Sequence, residues 1–206
     1  MRVREVFSDD FSEGTLVSQA ALERLSSTRT AQSPVAVVEI PARPLSPGRS
    51  VLVAWDISDP GNLGTMIRTA AAFGLDVMTT EGSADLWSPK VLRAAAGAHF
   101  HTGLGRFDLF GQLDGFIKVA TAMTGGAEPS SLSDGTLADG TLAVLIGSEA
   151  HGLPASARQT ADHLVTIPMP GRVESLNAAV AAAILCYEVS KRGTSGGLES
   201  PGARSS

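Results

Sequence analysis

Ser175 and Asn177 stand directly before an Ala-rich helical run, and this placement is the clearest chemical signal in the chain. The run begins at Ala178 and has five alanines among residues 178–183. The preceding sequence Ile-Pro-Met-Pro-Gly, at 167–171, is typical of a strand that ends in a loop. Because a helix N-terminus leaves backbone N–H groups unpaired, polar side chains there can act on a ligand together with the backbone. An ordinary capped core helix is the alternative interpretation.

Asn62 and Arg68 lie in a second segment of interest, which follows the apolar run 51–57. The sequence Asp-Pro-Gly at 59–61 predicts a turn, with Asn62 as the N-cap of the next helix and Gly74 as its end. Arg68 is predicted beside the apolar stripe of that helix. A simple cap at Asn62 and a solvated position for Arg68 remain the alternatives.

Glu149 belongs to a third segment, which begins with the apolar run 142–146. This run is short and does not alternate with polar residues, as expected of a buried parallel strand. Ligands of parallel α/β sheets bind beyond the carboxyl ends of the strands, which is where Glu149 is predicted. Alternatively, Glu149 caps the next helix.

The elements that would position these residues form an α/β pattern from residue 51 onward. Apolar runs alternate with helical segments, which predicts a largely parallel sheet with helices on both faces. The runs are 51–57, 77–80, 117–123, 142–146 and 164–167. Before residue 40, the sequence predicts strands at 3–7, 15–17 and 35–40 and a helix at 19–25 capped by Ser18.

Composition limits the classes of protein that this chain can be. Its 206 residues suffice for one good-sized domain and a small appendage. No window is long and apolar enough for a membrane span, and the N-terminal residues lack a signal-peptide pattern. Cys186, the single cysteine, is expected to be a small core residue, which excludes a disulfide framework and suits a reducing cytoplasm. The net charge of −5 excludes a broadly basic surface, so any RNA contact requires local clusters.

Other common catalytic motifs are absent from the sequence. Residues 103–108 approach a dinucleotide-binding G-x-G-x-x-G motif but lack the third glycine and a clear preceding strand. There is no P-loop, and Ser148 does not lie in a G-x-S-x-G nucleophile elbow. His99 and His101 alternate as on a strand, which predicts a shared face at the surface rather than a zinc site. No metal site is predicted.

Taken together, the three segments resemble the SpoU (TrmH-like) branch of the SPOUT RNA methyltransferases. The matching motifs are N-L-G-x-x-x-R-T-A at 62–70, I-G-S-E-x-x-G-L at 146–153 and I-P-M-x-G-x-V-E-S-L-N at 167–177. Residues 88–100 look like a fourth family block. The resemblance covers roughly residues 51–192, and three motifs in order at strand-to-helix junctions are far more specific than any one of them.

The resemblance implies a domain organisation. Residues 50–192 would form a SPOUT methyltransferase domain whose C-terminal part is a trefoil knot, and the family is homodimeric with an active site completed across the interface. Residues 1–39 look like a truncated or reduced α+β L30e-like substrate-binding domain, followed by a linker at 40–49. The tail, residues 193–206, is rich in Gly, Ser and Pro and is expected to be disordered.

The resemblance also implies methyl transfer from S-adenosylmethionine to a ribose 2′-hydroxyl of RNA. The implied catalytic residues are Asn62, Arg68, Glu149, Ser175 and Asn177. The implied cofactor contacts are Thr121, Ala122, Met123, Gly147, Ile167, Met169, Leu176 and Ala178. Lys90 and Arg93 would contact the RNA backbone, with solvated helix charges as the alternative.

Arg68 is often assigned as the base in this family, but a guanidinium stays protonated at ordinary pH. We therefore expect Arg68 to hold a phosphate and stabilise the developing alkoxide, with Glu149 fixing Arg68 or Asn62. Ribosomal RNA, most simply 23S rRNA, is favoured over tRNA because residues 1–39 resemble the rRNA-type domain. A catalytically silent RNA-binding paralogue and a methylase of base nitrogens are the rival functions. Both rivals would be expected to lack part of the Asn62, Arg68 and Asn177 set.

Overall fold

The computed structural model describes residues 2–10, 13–26, 30–133, 140–173 and 175–192, and the chain divides into two compact units after Ala42. The tail predicted to be disordered lies outside the described residues. In the described part of the chain, no helix combines the length and apolar character needed to cross a membrane.

The first unit is a small three-stranded sheet with one helix. β1 (Val3–Ser8) lies between β2 (Thr15–Leu16), which is parallel to it, and β3 (Val35–Val38), which is antiparallel. The helix α1 (Gln19–Leu25) begins where the Ser18 side chain accepts a hydrogen bond from the backbone N–H of Ala21, so the predicted cap is confirmed. Leu22 of this helix is fully buried.

The second unit contains a six-stranded parallel sheet, as predicted. Its strands in chain order are β4 (Val51–Trp55), β5 (Asp76–Thr79), β6 (Leu104–Arg106), β7 (Ile117–Thr121), β8 (Leu142–Gly147) and β9 (His163–Val165). Their spatial order is β6-β5-β4-β8-β7-β9, and every neighbouring pair is parallel. The prediction missed β6, because its Leu-Gly-Arg sequence has no β-branched or aromatic residue to mark a strand.

Helices cover both faces of this sheet, which confirms the predicted layers. α2 (Pro60–Ala72), α3 (Pro89–Ala95) and α5 (Ala178–Lys191) share one apolar core with the sheet. α4 (Ala155–Thr160) and the 3₁₀ turn Phe110–Leu113 belong to the core on the other face. Cys186 is fully buried in α5, and this burial raises the pKa of its thiol to about 12, as fits a core residue.

His99 and His101 do not lie on a strand, so that prediction was wrong. The chain turns at Ala96 and Gly97, which both have positive φ, and then forms the 3₁₀ turn Ala98–Phe100. His99 is fully buried, and its Nε2 lies 2.7 Å from the Leu86 carbonyl oxygen, whereas His101 is exposed. Alternation over three residues did not distinguish a strand from a tight turn.

Candidate functional site

The order of the strands brings two of the predicted residues to one place. The chain leaves β4 through α2 toward β5, while β8 lies on the other side of β4. The carboxyl ends of β4 and β8 therefore flank a topological switch point, where ligands of open parallel sheets bind. Asn62 follows β4 and Glu149 follows β8, so both lie at this point. α5 packs against α2 and β8, which brings its N-terminus to the same place.

Asn62, Glu149 and Asn177 form one hydrogen-bond network. Asn62 Nδ2 donates to Glu149 Oε1 at 2.6 Å, and Asn177 Nδ2 donates to Asn62 Oδ1 at 2.9 Å. Asn177 Nδ2 also lies 3.3 Å from Glu149 Oε1, and the backbone N–H of Ala178 donates to that same oxygen at 3.1 Å. Asn62 and Asn177, which are 115 positions apart in sequence, thus converge on one carboxylate oxygen of Glu149.

Local helix-capping chemistry sets up this network, although not as the sequence suggested. Asn62 does not cap α2: Asp59 is the N-cap, and its Oδ1 accepts the backbone N–H of Asn62 at 2.7 Å. The Asn62 side chain is therefore available for Glu149. Asn177 does cap α5, because its Oδ1 accepts the backbone N–H groups of Ala179 and Val180.

Glu149 acts at the start of α5 rather than at the helix that follows it in sequence. The N-cap of α4 is Pro154, so the alternative role of Glu149 as a cap of that helix is wrong. Its carboxylate instead binds the first turn of α5 through Ala178 N. A negative charge at a helix N-terminus is stabilising, because it meets unpaired N–H groups and the positive end of the helix dipole.

A cleft of about 620 Å³ lies beside the network. Its walls come from the carboxyl ends of β7, β8 and β9, the loops that follow them, and the first turn of α5. All eight residues named above as cofactor contacts line it: Thr121, Ala122, Met123, Gly147, Ile167, Met169, Leu176 and Ala178. Glu149 and Ser175 line it as well.

Gly147 is required by the fold of the chain itself. The loop after β8 turns back, so that Gly152 N donates to the Ser148 carbonyl oxygen at 2.8 Å. A Cβ at Gly147 would collide with the main chain of Gly152 and Leu153. Gly152 itself has a φ of +63°, a conformation that glycine adopts at little cost. Both glycines belong to the motif at 146–153, but their spacing in sequence does not predict that they pack against each other.

Arg68 is not brought to the network in this chain. It lies six residues after Asn62 on α2, which places it about 9 Å along the helix and about 120° around it. Its side chain is exposed, does not line the cleft and has no hydrogen-bond or ion-pair partner among the described residues. Lys90 and Arg93 are likewise exposed on α3 and lie outside the cleft lining.

Sequence reasoning missed Arg158 as a residue of the cleft. It lies on α4, lines the cleft, and donates from Nη1 to the Leu153 carbonyl oxygen at 2.5 Å. Arg158 lies nine residues after Glu149, outside the three motifs, so no sequence motif marks it as a residue of the site. Across the described ranges, no group of three or more His, Cys, Asp or Glu side chains is placed to hold a metal ion.

Comparisons with known proteins agree on one family. The profile described as the SpoU rRNA Methylase family matches residues 49–187. The 23S rRNA (guanosine(2553)-2′-O)-methyltransferase RlmP of Bacillus subtilis is 38% identical over 180 residues, covering 84% of this chain and 71% of that protein.

Two further comparisons extend the likeness to a second relative and to a solved structure. A putative TrmH family tRNA/rRNA methyltransferase of Staphylococcus haemolyticus is 35% identical over 149 residues, covering 70% of this chain; the chain spans 60% of that protein's length. The SpoU methyltransferase AviRb of Streptomyces viridochromogenes, solved in complex with the cofactor AdoMet, superimposes with a TM-score of 0.77. It is 26% identical, and the match covers 95% of this chain and 84% of AviRb.

Proposed function

This chain belongs to the SpoU rRNA methylase family, and we propose that it transfers the methyl group of S-adenosylmethionine to a ribose 2′-hydroxyl of RNA. The observation that carries the proposal is the network of Asn62, Glu149 and Asn177 beside a cleft at the carboxyl ends of the strands. Fixed polar groups next to a small-molecule cleft are what an in-line group transfer needs, because the two reactants must be held in one geometry.

The cleft fits S-adenosylmethionine in size and chemistry. Its volume of about 620 Å³ falls within the roughly 300–1,000 Å³ of small-molecule sites. Ile167 and Leu176 offer apolar surface to an adenine ring, and together with Met169 they form no hydrogen bond within the described chain. Their backbone groups therefore remain free to bind a ligand. When bound, S-adenosylmethionine would supply a reactive methyl group on a positively charged sulfur.

The network would orient the ribose. The Glu149 carboxylate can only accept hydrogen bonds, so the amide atoms of Asn62 and Asn177 that face it must be the Nδ2 donors. This fixes the orientation of both amide groups. Ser175, at the cleft, has no hydrogen-bond partner in the described chain, so its hydroxyl is available to the substrate. In this assignment Glu149 positions Asn62, and not Arg68.

Arg68 would reach a cleft only in an assembly of two chains. In the proposed homodimer, Arg68 of one copy would complete the cleft of the other, where its guanidinium would hold a phosphate and stabilise the developing alkoxide. The exposed side chains of Val180 and Tyr187 support an interface on α5, since positions seven apart share a helix face. The small residues of α5 pack mainly in the core of their own chain, where three alanines are buried: Ala178, Ala179 and Ala182.

The preferred substrate is 23S rRNA. The relative named as a 23S rRNA 2′-O-methyltransferase covers most of this chain, including part of the first unit. A tRNA substrate is the second candidate, favoured by the tRNA/rRNA name of the Staphylococcus relative. A catalytically silent paralogue is disfavoured because the three-residue network is complete. An rRNA substrate would place the enzyme in the cytoplasm.

The remaining assignments concern the organisation of the chain. We assign residues 50–192 to the methyltransferase domain, with the strands and loops from β8 to α5 forming the trefoil knot of the family. Residues 1–39 are assigned as an L30e-like substrate-binding segment and 40–49 as a linker. Lys90 and Arg93, both exposed on α3, are assigned to the RNA backbone.

A methyl-transfer assay tests the function directly. The protein is incubated with tritiated S-adenosylmethionine and unmodified bulk rRNA or tRNA, and the labelled RNA is digested to nucleosides. We expect label in 2′-O-methylnucleosides from rRNA, and we expect Asn177→Ala to abolish it. Label in base-methylated nucleosides would contradict the ribose assignment, and no label in either RNA would contradict enzyme activity. Mass mapping of RNA from a deletion strain then identifies the nucleotide.

A further inference from the structure

Arg158 is a cation at the cleft for which the described residues supply no counter-ion. Among the described residues that line the cleft, it is the one Lys or Arg, and it forms no ion pair in that part of the chain. One N–H of its guanidinium is used by the Leu153 carbonyl oxygen. A guanidinium has five N–H donors, so the other four remain for a ligand.

The acidic residue of the cleft does not neutralise Arg158. Glu149 accepts hydrogen bonds from Asn62, Asn177 and the start of α5, and it forms no ion pair with Arg158. The contact with Leu153 holds the guanidinium at the cleft, which reduces the entropy lost when it binds a ligand. A fixed cation in a concave site selects an anionic group, and a guanidinium fits a carboxylate with two parallel hydrogen bonds.

We propose that Arg158 binds the α-carboxylate of the methionine part of S-adenosylmethionine, an inference that rests on the proposed function. The α-carboxylate is the one anionic group of that cofactor. An RNA phosphate is the other possible source of negative charge. The cofactor is favoured because Arg158 shares its cleft with the apolar surfaces of Ile167 and Leu176, whereas Arg68, Lys90 and Arg93 lie outside the lining.

Calorimetry with two ligands separates this role from a structural one. S-adenosylhomocysteine carries the carboxylate, and 5′-methylthioadenosine keeps the adenosine and sulfur but lacks the amino-acid portion. We expect Arg158→Gln to lower the affinity for S-adenosylhomocysteine roughly 10- to 100-fold, which is the range expected for loss of a hydrogen bond to a charged group. The affinity for methylthioadenosine should stay within about twofold of the wild-type value. Arg158→Lys should recover part of the loss. Arg106→Gln, an exposed arginine on β6, is the matched control and should change neither affinity.

Each other outcome overturns the inference. An equal loss of affinity for both ligands would mean that Arg158 only shapes the cleft through Leu153. Unchanged affinity for both would mean that Arg158 does not contact the cofactor. Weaker binding of an rRNA fragment by Arg158→Gln, with an unchanged preference for S-adenosylhomocysteine over methylthioadenosine, would assign Arg158 to an RNA phosphate. If the wild-type protein binds neither ligand, the proposed function fails as well, which is a distinct result.

A measurement on the unaltered protein keeps the inference testable if Arg158→Gln does not fold. The carboxyl methyl ester of S-adenosylhomocysteine removes the anionic group and little else. We expect the ester to bind at least tenfold more weakly than the free acid, with a difference that shrinks as salt is added. Equal affinities for acid and ester would overturn the proposal.

Discussion

Replacing Glu149 should reduce both stability and methyl transfer, because one of its oxygens joins three parts of the chain. Glu149→Ala removes the acceptor for Asn62, Asn177 and the backbone N–H of Ala178. A hydrogen bond to a charged group contributes about 1.5–3 kcal/mol when buried, but Glu149 is exposed, so water can replace much of that interaction. Loss of the negative charge at the N-terminus of α5 adds about 0.3–1 kcal/mol. We expect a total loss of about 1–2 kcal/mol, or roughly 2–8 °C in Tm for a chain of this size.

The effect on catalysis should exceed the effect on stability. Without Glu149, the amides of Asn62 and Asn177 lose their common acceptor and no longer hold one orientation. Misplaced reactants cost about 10²-fold in rate, so Glu149→Ala should lower methyl transfer by roughly that factor. Glu149→Gln keeps one acceptor oxygen but not the charge, and should fall between the alanine variant and the wild type.

The measurements are urea unfolding, S-adenosylhomocysteine calorimetry and the tritiated-methyl assay, run on the same protein preparations. Glu81→Gln is the matched control, because Glu81 is exposed and has no hydrogen-bond partner among the described residues. Wild-type stability and transfer in Glu149→Ala would refute the network as the organiser of the site. A loss of stability with unchanged transfer would leave Glu149 as a cap of α5 alone.

The remaining predictions concern three other positions. Arg68→Ala should lower methyl transfer by about 10²-fold with cofactor affinity unchanged, as measured by the same assay and calorimetry; wild-type transfer would exclude its catalytic role. Gly64→Ala should destabilise the protein by about 1–2 kcal/mol, as measured by urea unfolding. The added Cβ would collide with Ala94 and lie 2.7 Å from the Val91 carbonyl oxygen, where α2 meets α3. Unchanged stability would show that the two helices can move apart without cost. Burial lowers the pKa of His99 below 6.5, so the unfolded chain binds a proton that the folded chain resists. The stability that His99 confers is therefore present above about pH 6.5 and is lost as the pH falls below it, and a His99→Gln variant should show a flatter decline between pH 6.5 and 5; parallel curves would contradict this.

Much of the fold was predictable because local signals and global topology agree in this chain. Short apolar runs such as 142–146 became buried parallel strands, and Ser18 and Asn177 cap the helices that the sequence indicated. β6 was missed because its residues carry no strand preference, and its pairing with β5 decides its conformation. His99 was misplaced because three residues of alternation carry too little information against a turn set by Ala96 and Gly97.

The three residues of the hydrogen-bond network were named from the sequence, but their contacts were not. The three motifs named Asn62, Glu149 and Asn177. The local sequence does not predict, however, that an amide on α2 and another on α5 donate to the same carboxylate oxygen. That contact depends on β8 lying beside β4, which is a property of the sheet order. Arg158 was missed for the same reason, since its place at the cleft follows from how α4 packs and not from its neighbours in sequence.

The position of Glu149 explains why the three motifs depend on one another. Its carboxylate lies at the switch point between the carboxyl ends of β4 and β8, where it accepts hydrogen bonds from elements on either side. The chain supplies those partners from the helices after β4 and β9, through Asn62 and through Asn177 with Ala178. The same hydrogen bonds hold the start of α5 beside the cleft and fix the two amides relative to each other. A substitution that loosens α5 at this end should therefore disturb the amides as well, which makes stability and activity coupled at Glu149 but separable at Arg68.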